Sequence, residues 1–140
     1  MTKNKSNQAI WGSRIKKNSS SVFQKVGNSI DIDKKLYKED IMVSLAHTEM
    51  LFRQKIISFK TKNKIFYGLN KIEKEISKKK FEFNNKYEDI HMNIEKRLFQ
   101  IIGEEAGYVH TARSRNDQVI TDFKIWMRSA TNDINKSLDI

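Results

Sequence analysis

Apolar side chains recur at helical spacing over most of the chain, and two of these stretches lie in its first half. Asp33 is expected to act as the N-cap of a helix that begins near Lys34 and ends near Gln54. Thr61 is expected to cap a second helix, which ends in the run Lys78-Lys79-Lys80. The two stripes consist of Tyr37, Ile41, Ser44 or Leu45, Thr48 and Leu51, and of Ile65, Leu69, Ile72 and Ile76.

Two further helices are predicted in the second half of the chain. The first opens near Glu88 or Asp89 and closes at Gly103, because glycine is favoured just after a helix end. The second follows the polar run His110–Gln118. Their apolar positions are Ile90, Ile94, Leu98 and Ile101 or Ile102, and then Ile120, Phe123, Met127, Ala130, Ile134 and Leu138. The last stripe is still running where the sequence stops, so we expect an exposed stripe and a fragment of a longer protein.

Composition agrees with an all-α protein. The 140 residues include no proline and five glycines, which suits long helices, and the length suits one domain. The lack of cysteine excludes a disulfide framework and a thiolate metal site. The stretch Met1–Arg14 carries charge but no apolar core, and no run of about 18 apolar residues occurs. Neither a signal peptide nor a membrane-spanning segment is therefore expected. The sequence predicts a soluble, cytoplasmic protein.

The net charge of +10 could indicate a nucleic-acid partner, but its distribution argues otherwise. The chain has 21 Lys and 6 Arg, together with 18 Ile and 12 Asn, a bias that an AT-rich genome would produce. The lysines are spread along the chain without interleaved aromatic side chains, which favours solvated surface over a nucleic-acid patch. Two of the six arginines, Arg113 and Arg115, nevertheless fall within one triplet. Arginine binds carboxylates with a planar fork that lysine cannot copy, so geometry is expected to matter there.

The polar run His110–Gln118 is the strongest candidate for a binding site. Only Ala112 in it is apolar, and the rest offers guanidinium, hydroxyl, amide, imidazole and carboxylate groups ahead of a helix. This mixture is typical of a site for a small anionic ligand. Ser114 and Asp117 also fit the S-x-x-D form of a capping box, and capping is the preferred interpretation of these two residues.

Several motifs, in order along the chain, carry a family resemblance. HTARSRNDQVITD at 110–122 resembles the first signature region of the argininosuccinate lyases, members of the fumarase/aspartase superfamily. Trp11-Gly12-Ser13-Arg14 resembles their N-terminal W-G-G-R segment, with Ser13 and Ile15 as departures from its usual residues. The remaining matches are Ser29-Ile30-Asp31 with Asp33, Asp40-Ile41, Ser44-Leu45-Ala46-His47, Gly68-Leu69 with Ile72, and Glu88 to Glu95.

The resemblance implies an enzyme that splits argininosuccinate into arginine and fumarate by anti β-elimination, without a metal or organic cofactor. It implies an N-terminal helical domain, residues 1–112, followed by the start of a central bundle of long helices, residues 113–140. It further implies a homotetramer whose active sites are shared between subunits, with no nucleic-acid or membrane partner. In the family, the catalytic histidine acid and serine base lie beyond the region matched here. We therefore expect these 140 residues alone neither to catalyse elimination nor to tetramerise normally.

The resemblance also assigns site residues. Ser29, Arg115 and Asn116 match substrate-binding positions, and their donor groups suit carboxylates. Supporting residues are Asp89, His91, Thr111, Arg113 and Ser114. Ser29 can alternatively be a turn residue, and Arg113 can form a salt bridge within its loop.

Other side chains are expected to be structural. His91 and Glu95 have the i, i+4 spacing of a metal pair, but two ligands do not make a site, so no metal is predicted. His47 is interpreted as a core or interface histidine, and Trp126 and Met127 as packing residues.

Two other classes of function stay open. The chain could be a non-catalytic helical structural or interaction protein derived from the family, or a basic nucleic-acid-binding helical module.

Overall fold

The computed structural model describes residues 26–138, and helices dominate this part of the chain. A short helix, α1, spans Ile30–Asp33 and continues into a 3-10 turn at Lys34–Leu36. The longer helices are α2 (Tyr37–Arg53), α3 (Phe59–Ser77), α4 (Ile90–Ile102) and α5 (Arg115–Leu138), with a 3-10 segment at Gly103–His110. No strand occurs between residues 26 and 138, and the predicted all-α class is confirmed. None of the helices described there is long and apolar enough to cross a lipid bilayer. The W-G-S-R motif and Ile15 lie outside the described residues.

The start of α3 differs from the prediction. Ser58, not Thr61, is the N-cap, and its Oγ accepts a hydrogen bond from the Thr61 backbone N–H at 3.1 Å. A capping side chain accepts from a backbone N–H two or three residues later, so Thr61 lies inside the first turn. The predicted cap was wrong by three residues, because Ser58 and Thr61 are both good capping residues.

Asp33 does not cap the helix that follows it. It ends α1, and the backbone stays helical through Lys34–Leu36, so no extended N-cap conformation occurs there. Its carboxylate instead accepts a hydrogen bond from the Ile90 backbone N–H at 3.1 Å, at the start of α4. The predicted cap of α2 was therefore wrong, and the side chain caps a helix that is distant in sequence.

The apolar core lies between α2, α3 and α4, where the predicted stripes meet. Its buried residues are Ile30, Ile41, Leu51, Ile57, Ile65, Leu69, Ile72, Ile90, Ile94, Leu98, Ala106 and Val109. Gly68 allows α3 and α4 to approach closely, because a Cβ at this position would lie within 3.2 Å of Ile102 and still nearer to Leu98. Gly103 closes α4 with a φ of 77°, as predicted for a C-cap glycine.

Helix α5 packs its polar face inward. It lies against α2 through Gln118 and Asp122, which are both buried, whereas its apolar side chains face outward. The exposed residues include Ile120, Phe123, Trp126, Met127, Ile134 and Leu138, which confirms the predicted exposure of the stripe. Phe123 and Trp126 stack on each other with ring centroids 6.0 Å apart. Hydrogen bonds therefore fix the register of α5 against the rest of the protein.

Candidate functional site

Several of the predicted site residues converge at the N-terminal end of α4. Asp89 is the N-cap of this helix, and its Oδ1 accepts from the Met92 backbone N–H at 2.7 Å. Asp33 Oδ1 accepts from the backbone N–H of Ile90, the first residue of α4, and Asp33 Oδ2 accepts from Ser29 Oγ at 2.6 Å. The Ser29 backbone N–H also donates to the Glu88 carbonyl at 2.8 Å. Ser29 is exposed, so these contacts fix its hydroxyl beside the start of α4 at the protein surface.

Arg115 reaches the same helix end from α5. Its Nε lies 3.5 Å from Asp89 Oδ2, and its Nη1 donates to Glu95 Oε1 at 2.9 Å and to Gln118 Oε1 at 2.8 Å. Both hydrogens of Nη1 are thus occupied by protein acceptors. Nη2 makes no hydrogen bond with the described residues, which leaves it for a ligand. A two-point grip on a carboxylate would then use Nε and Nη2, with Asp89 giving way.

The loop before α5 holds the remaining candidates in different ways. Ser114 and Asp117 form the predicted capping box, in which each side chain accepts from the other's backbone N–H at 3.2 Å. Thr111 uses its carbonyl to bond His47 Nε2 at 2.9 Å, so His47 tethers this loop to α2. Ala112, between them, has a φ of 54°, in the left-handed region that non-glycine residues rarely adopt.

Arg113 and Asn116 differ in their surroundings. Arg113 is half-buried and approaches Ser44 on α2, with Nη1 and Nη2 both 3.4 Å from its Oγ. Burial lowers the pKa of the Arg113 guanidinium, although the nearby carboxylates of Asp40, Glu95 and Asp122 act against this effect. Asn116 is exposed and makes no side-chain hydrogen bond with the described residues. These contacts favour a structural role for Arg113 and leave Asn116 accessible to a ligand.

Beneath this surface lies a buried polar cluster formed by Asp40, His91, Gln118 and Asp122. His91 Nδ1 is 2.8 Å from Asp40 Oδ1 and 3.5 Å from Asp122 Oδ2. Gln118 Nε2 donates to Asp40 Oδ1. Asp40 Oδ2 and both carboxylate oxygens of Asp122 have no hydrogen-bond partner among the described residues. The predicted site residue His91 thus belongs to the interior of the protein and connects α4 to α2 and α5.

The charges of this cluster depend on one another. Burial raises the pKa of Asp122 to about 7, and the neighbouring Asp40 charge adds to the rise. Burial would also raise the pKa of Asp40, but the hydrogen bond and positive charge of His91 outweigh it, so this pKa is lowered. The pKa of His91 is raised by the Asp40 hydrogen bond and charge in spite of burial. Near neutral pH, Asp40 is therefore ionised and Asp122 is close to its midpoint, while His91 holds its proton more tightly than a free imidazole does.

Asp40, His91 and Asp122 are also the residues best placed to hold a metal ion. Their three candidate ligand atoms lie within 4.8 Å of one another, and a histidine with two carboxylates can bind zinc. The surroundings favour an internal ion network instead. Asp40 Oδ1 already accepts from His91 and Gln118, and the positive charge of Arg113 acts on both carboxylates. The expected absence of a metal stays a prediction.

Glu95 is a further anchor for the site. It bonds His110 Nε2 at 2.9 Å and Arg115 Nη1 at 2.9 Å through the same carboxylate oxygen. Burial would raise the pKa of Glu95, but the hydrogen bond from His110 and the charge of Arg115 lower it. Glu95 therefore stays ionised and holds the beginning and the middle of the polar run 110–118, at His110 and Arg115, against α4, rather than pairing with His91 on a metal.

Asp40, Glu95 and Asp122 were not singled out from the sequence as parts of the site, and Gln118 was included only as the last residue of the polar run 110–118. A signal was present: Arg115, Gln118 and Asp122 follow i, i+3, i+7 spacing, a polar face opposite the apolar stripe of α5. An apolar stripe normally marks the buried face of a helix. This helix reverses that rule within the described part of the chain.

Comparison with known proteins places this arrangement in a family. Residues 13–139 match the profile of a family described as lyase. The chain belongs to this lyase family. It is 81% identical over 139 residues to an argininosuccinate lyase of Pelagibacter ubique, which covers 99% of this chain and 30% of the relative.

Argininosuccinate lyases with lower identity also match this chain. The relative from Bartonella bacilliformis is 47% identical over 138 residues, with 99% of this chain and 30% of the relative covered. The relative from Ehrlichia canis is 50% identical over 121 residues, with 86% and 26% covered. The predicted resemblance of this lyase-family chain to argininosuccinate lyases is thus confirmed. The chain spans about 30% of the length of the Pelagibacter and Bartonella relatives.

Proposed function

We propose that this chain supplies the carboxylate-binding part of an argininosuccinate lyase active site, in an enzyme that cleaves argininosuccinate to arginine and fumarate. The observation that carries the proposal is the 81% identity to such an enzyme over 139 residues. The arrangement of Ser29, Arg115 and Asn116 supports it. Argininosuccinate carries three carboxylates, and these three side chains offer hydroxyl, guanidinium and amide donors close to α4 and α5.

The proposed roles follow from the contacts of each group. Arg115, with Nη1 held by Glu95 and Gln118, presents Nη2 to one carboxylate of the substrate. Asn116 is exposed and adjacent, so its amide can donate to a second oxygen. The Ser29 hydroxyl must turn from Asp33 to the substrate in order to donate. Fixed donors of this kind stabilise the negative charge that develops when a base removes the proton beside a carboxylate.

The proposal assigns proton transfer to residues outside this chain. Within the site described here, His91 is buried and paired with Asp40, so it is not placed to protonate a leaving group. We accordingly propose that the complete enzyme is a cytoplasmic homotetramer in which this segment binds and orients the substrate. Residues 1–112 would form one domain, and residues 113–140 would begin the central helical bundle.

A chimera tests the function directly. This chain replaces the matching 139-residue segment of the Pelagibacter ubique argininosuccinate lyase, and release of fumarate from argininosuccinate is measured. We expect activity from the chimera and none from the 140-residue chain alone. A chimera that folds and assembles like the Pelagibacter enzyme but releases no fumarate would contradict the proposal and favour a non-catalytic structural protein.

The site assignment needs its own variants. Asn116→Ala in the chimera is expected to lower kcat/KM, because a donor to the substrate is lost. Asn132→Ala serves as the matched control, since Asn132 is also exposed on α5 but lies outside the site. Full activity of Asn116→Ala would refute the assignment of this residue.

A further inference from the structure

The guanidinium of Arg115 stands at the end of a chain of hydrogen bonds through the protein interior. His91 on α4 bonds Asp40 on α2 at 2.8 Å. Asp40 Oδ1 accepts from Gln118 Nε2, and Gln118 Oε1 accepts from Arg115 Nη1 at 2.8 Å. His91, Asp40 and Gln118 are each no more than 2% exposed. Buried groups cannot exchange these partners for water without a cost in free energy, so the order of the bonds is strongly specified.

The two ends of the Gln118 amide are not interchangeable. An ionised carboxylate can only accept hydrogen bonds, and a guanidinium can only donate them. Gln118 therefore satisfies both neighbours in one orientation, with its NH₂ toward Asp40 and its oxygen toward Arg115. The charge of Asp40 thereby decides which group of Gln118 faces Arg115.

We propose that Asp40 is a positioning residue for Arg115: by fixing the orientation of the Gln118 amide, it fixes the guanidinium that grips a substrate carboxylate. The inference rests on the proposed function, since it concerns how that site holds its ligand. Gln118 and Glu95 together occupy both hydrogens of Nη1. The orientation of Gln118 thus determines that Nη2 is the group left for the ligand.

Loss of the shared acceptor gives the proposal a testable consequence. Asp40→Leu removes Oδ1, which accepts from both His91 and Gln118, so no acceptor holds the Gln118 amide in the orientation that presents its oxygen to Arg115. In Gln118→Glu, a carboxylate faces Arg115 well but confronts the Asp40 carboxylate. In the double variant Asp40→Asn/Gln118→Glu, the new amide donates its NH₂ to the carboxylate at position 118 and to His91 Nδ1, which accepts in the neutral ring. The double variant also conserves the net charge of positions 40 and 118.

The experiment measures KM and kcat for argininosuccinate in the chimera. Each single variant is expected to raise KM about tenfold or more, the equivalent of one charged hydrogen bond, with a smaller change in kcat. If Arg115 binds the carboxylate equally strongly in the ground state and in the transition state, weakening this contact raises KM and leaves kcat unchanged. The double variant is expected to return KM to within about threefold of the parent value. Partial unfolding behaves differently, because it lowers the active fraction and thus kcat, while KM is unchanged.

Gln100→Glu is the matched control. Gln100 is exposed on α4 and accepts from Arg97 Nη1 at 3.0 Å, so the same chemical change occurs beside an arginine outside the site. Its KM should stay at the parent value. If Gln118→Glu does not fold, Asp40→Leu decides alone, and a raised KM supports the proposal.

Unchanged KM in the single variants, or a double variant no better than the singles, would overturn the positioning role. Failure of the unaltered chimera to release fumarate would instead refute the proposed function, so the two failures are distinguishable.

Discussion

Asp122→Asn should remove most of the pH dependence of the local stability of α5. Asp122 is 0% exposed and lies beside Asp40, His91 and Arg113, and its pKa in the folded protein is about 7. The ordinary value is 3.8. When α5 opens to solvent, Asp122 returns to its ordinary pKa. Between pH 3.8 and about pH 7, the folded state therefore binds more protons than this locally opened state. Stability is therefore lost as the pH rises through this window.

The size of the effect follows from the same two values. Each pH unit well inside the window costs about 1.36 kcal/mol, and the loss levels off as Asp122 ionises in the folded protein. The loss from pH 5 to pH 8 is therefore about 2.6 kcal/mol. The raised pKa of His91 adds a loss of the same sign as the pH rises above 6.5. The lowered pKa of Asp40 contributes stability that is lost only as the pH falls below 3.8, outside the range considered.

Hydrogen–deuterium exchange of the chimera can measure this change. Peptides from the first half of α5 should lose about 100-fold of protection between pH 5 and pH 8, after correction for the intrinsic pH dependence of exchange. The asparagine variant should lose far less, because its amide is neutral throughout and can donate to the Asp40 carboxylate. Asp133→Asn, an exposed aspartate of the same helix, should behave like the parent. Equal pH dependence in Asp122→Asn and the parent would refute the reasoning.

Three further substitutions test packing and backbone geometry in the chimera. Gly68→Ala should destabilise the protein by about 1–3 kcal/mol, seen as a lower Tm, because the added Cβ would collide with Leu98. Ala112→Gly should raise the free energy of unfolding by up to about 1 kcal/mol, seen as a higher Tm, since glycine adopts a φ of 54° without strain. Ser58→Ala should cost about 1 kcal/mol by removal of the α3 cap, measured by exchange at the start of that helix.

Matched controls separate these effects from general sensitivity to substitution. Gly107→Ala adds a Cβ with nothing within 4 Å and without a positive φ, so its Tm should stay close to the parent value. Ser77→Ala removes a hydroxyl at the other end of α3 and should leave the exchange of its first turn unchanged. A fall in Tm for Ala112→Gly, or equal effects of Gly68→Ala and Gly107→Ala, would contradict the geometric argument.

The sequence predicted the helices well because their stripes and end signals are local. Asp89 and Gly103 bound α4 as expected, and the core residues of α3 occupy the predicted positions. Asp33 and Thr61 were assigned as caps incorrectly. The presence of a capping residue type in the sequence does not show which backbone N–H its side chain bonds. Asp33 bonds a backbone group 57 residues away, a contact that no local pattern contains.

The surface residues of the candidate site could be predicted from the sequence, and the buried residues beneath them could not. Arg115 and Asn116 stand in a recognisable polar run, so sequence alone could single them out. Asp40 and Gln118 meet across 78 positions, and their pairing depends on how α2 and α5 pack. The sequence did not show which face of α5 is buried. Its apolar stripe faces outward, and its buried face carries an amide and a carboxylate.

The inward polar face of α5 has a consequence for how this protein can be divided. A version cut after residue 112 would contain Asp40 and His91 but would lack Gln118, Asp122 and Arg113. The hydrogen bond that Gln118 gives to Asp40 and the positive charge of Arg113 would both be lost. Water would have to enter between α2 and α4 to solvate Asp40, since an unpaired buried carboxylate is costly. A cut at this sequence boundary would therefore divide one electrostatic unit, and the separated halves would each need a new partner for charges that now neutralise one another.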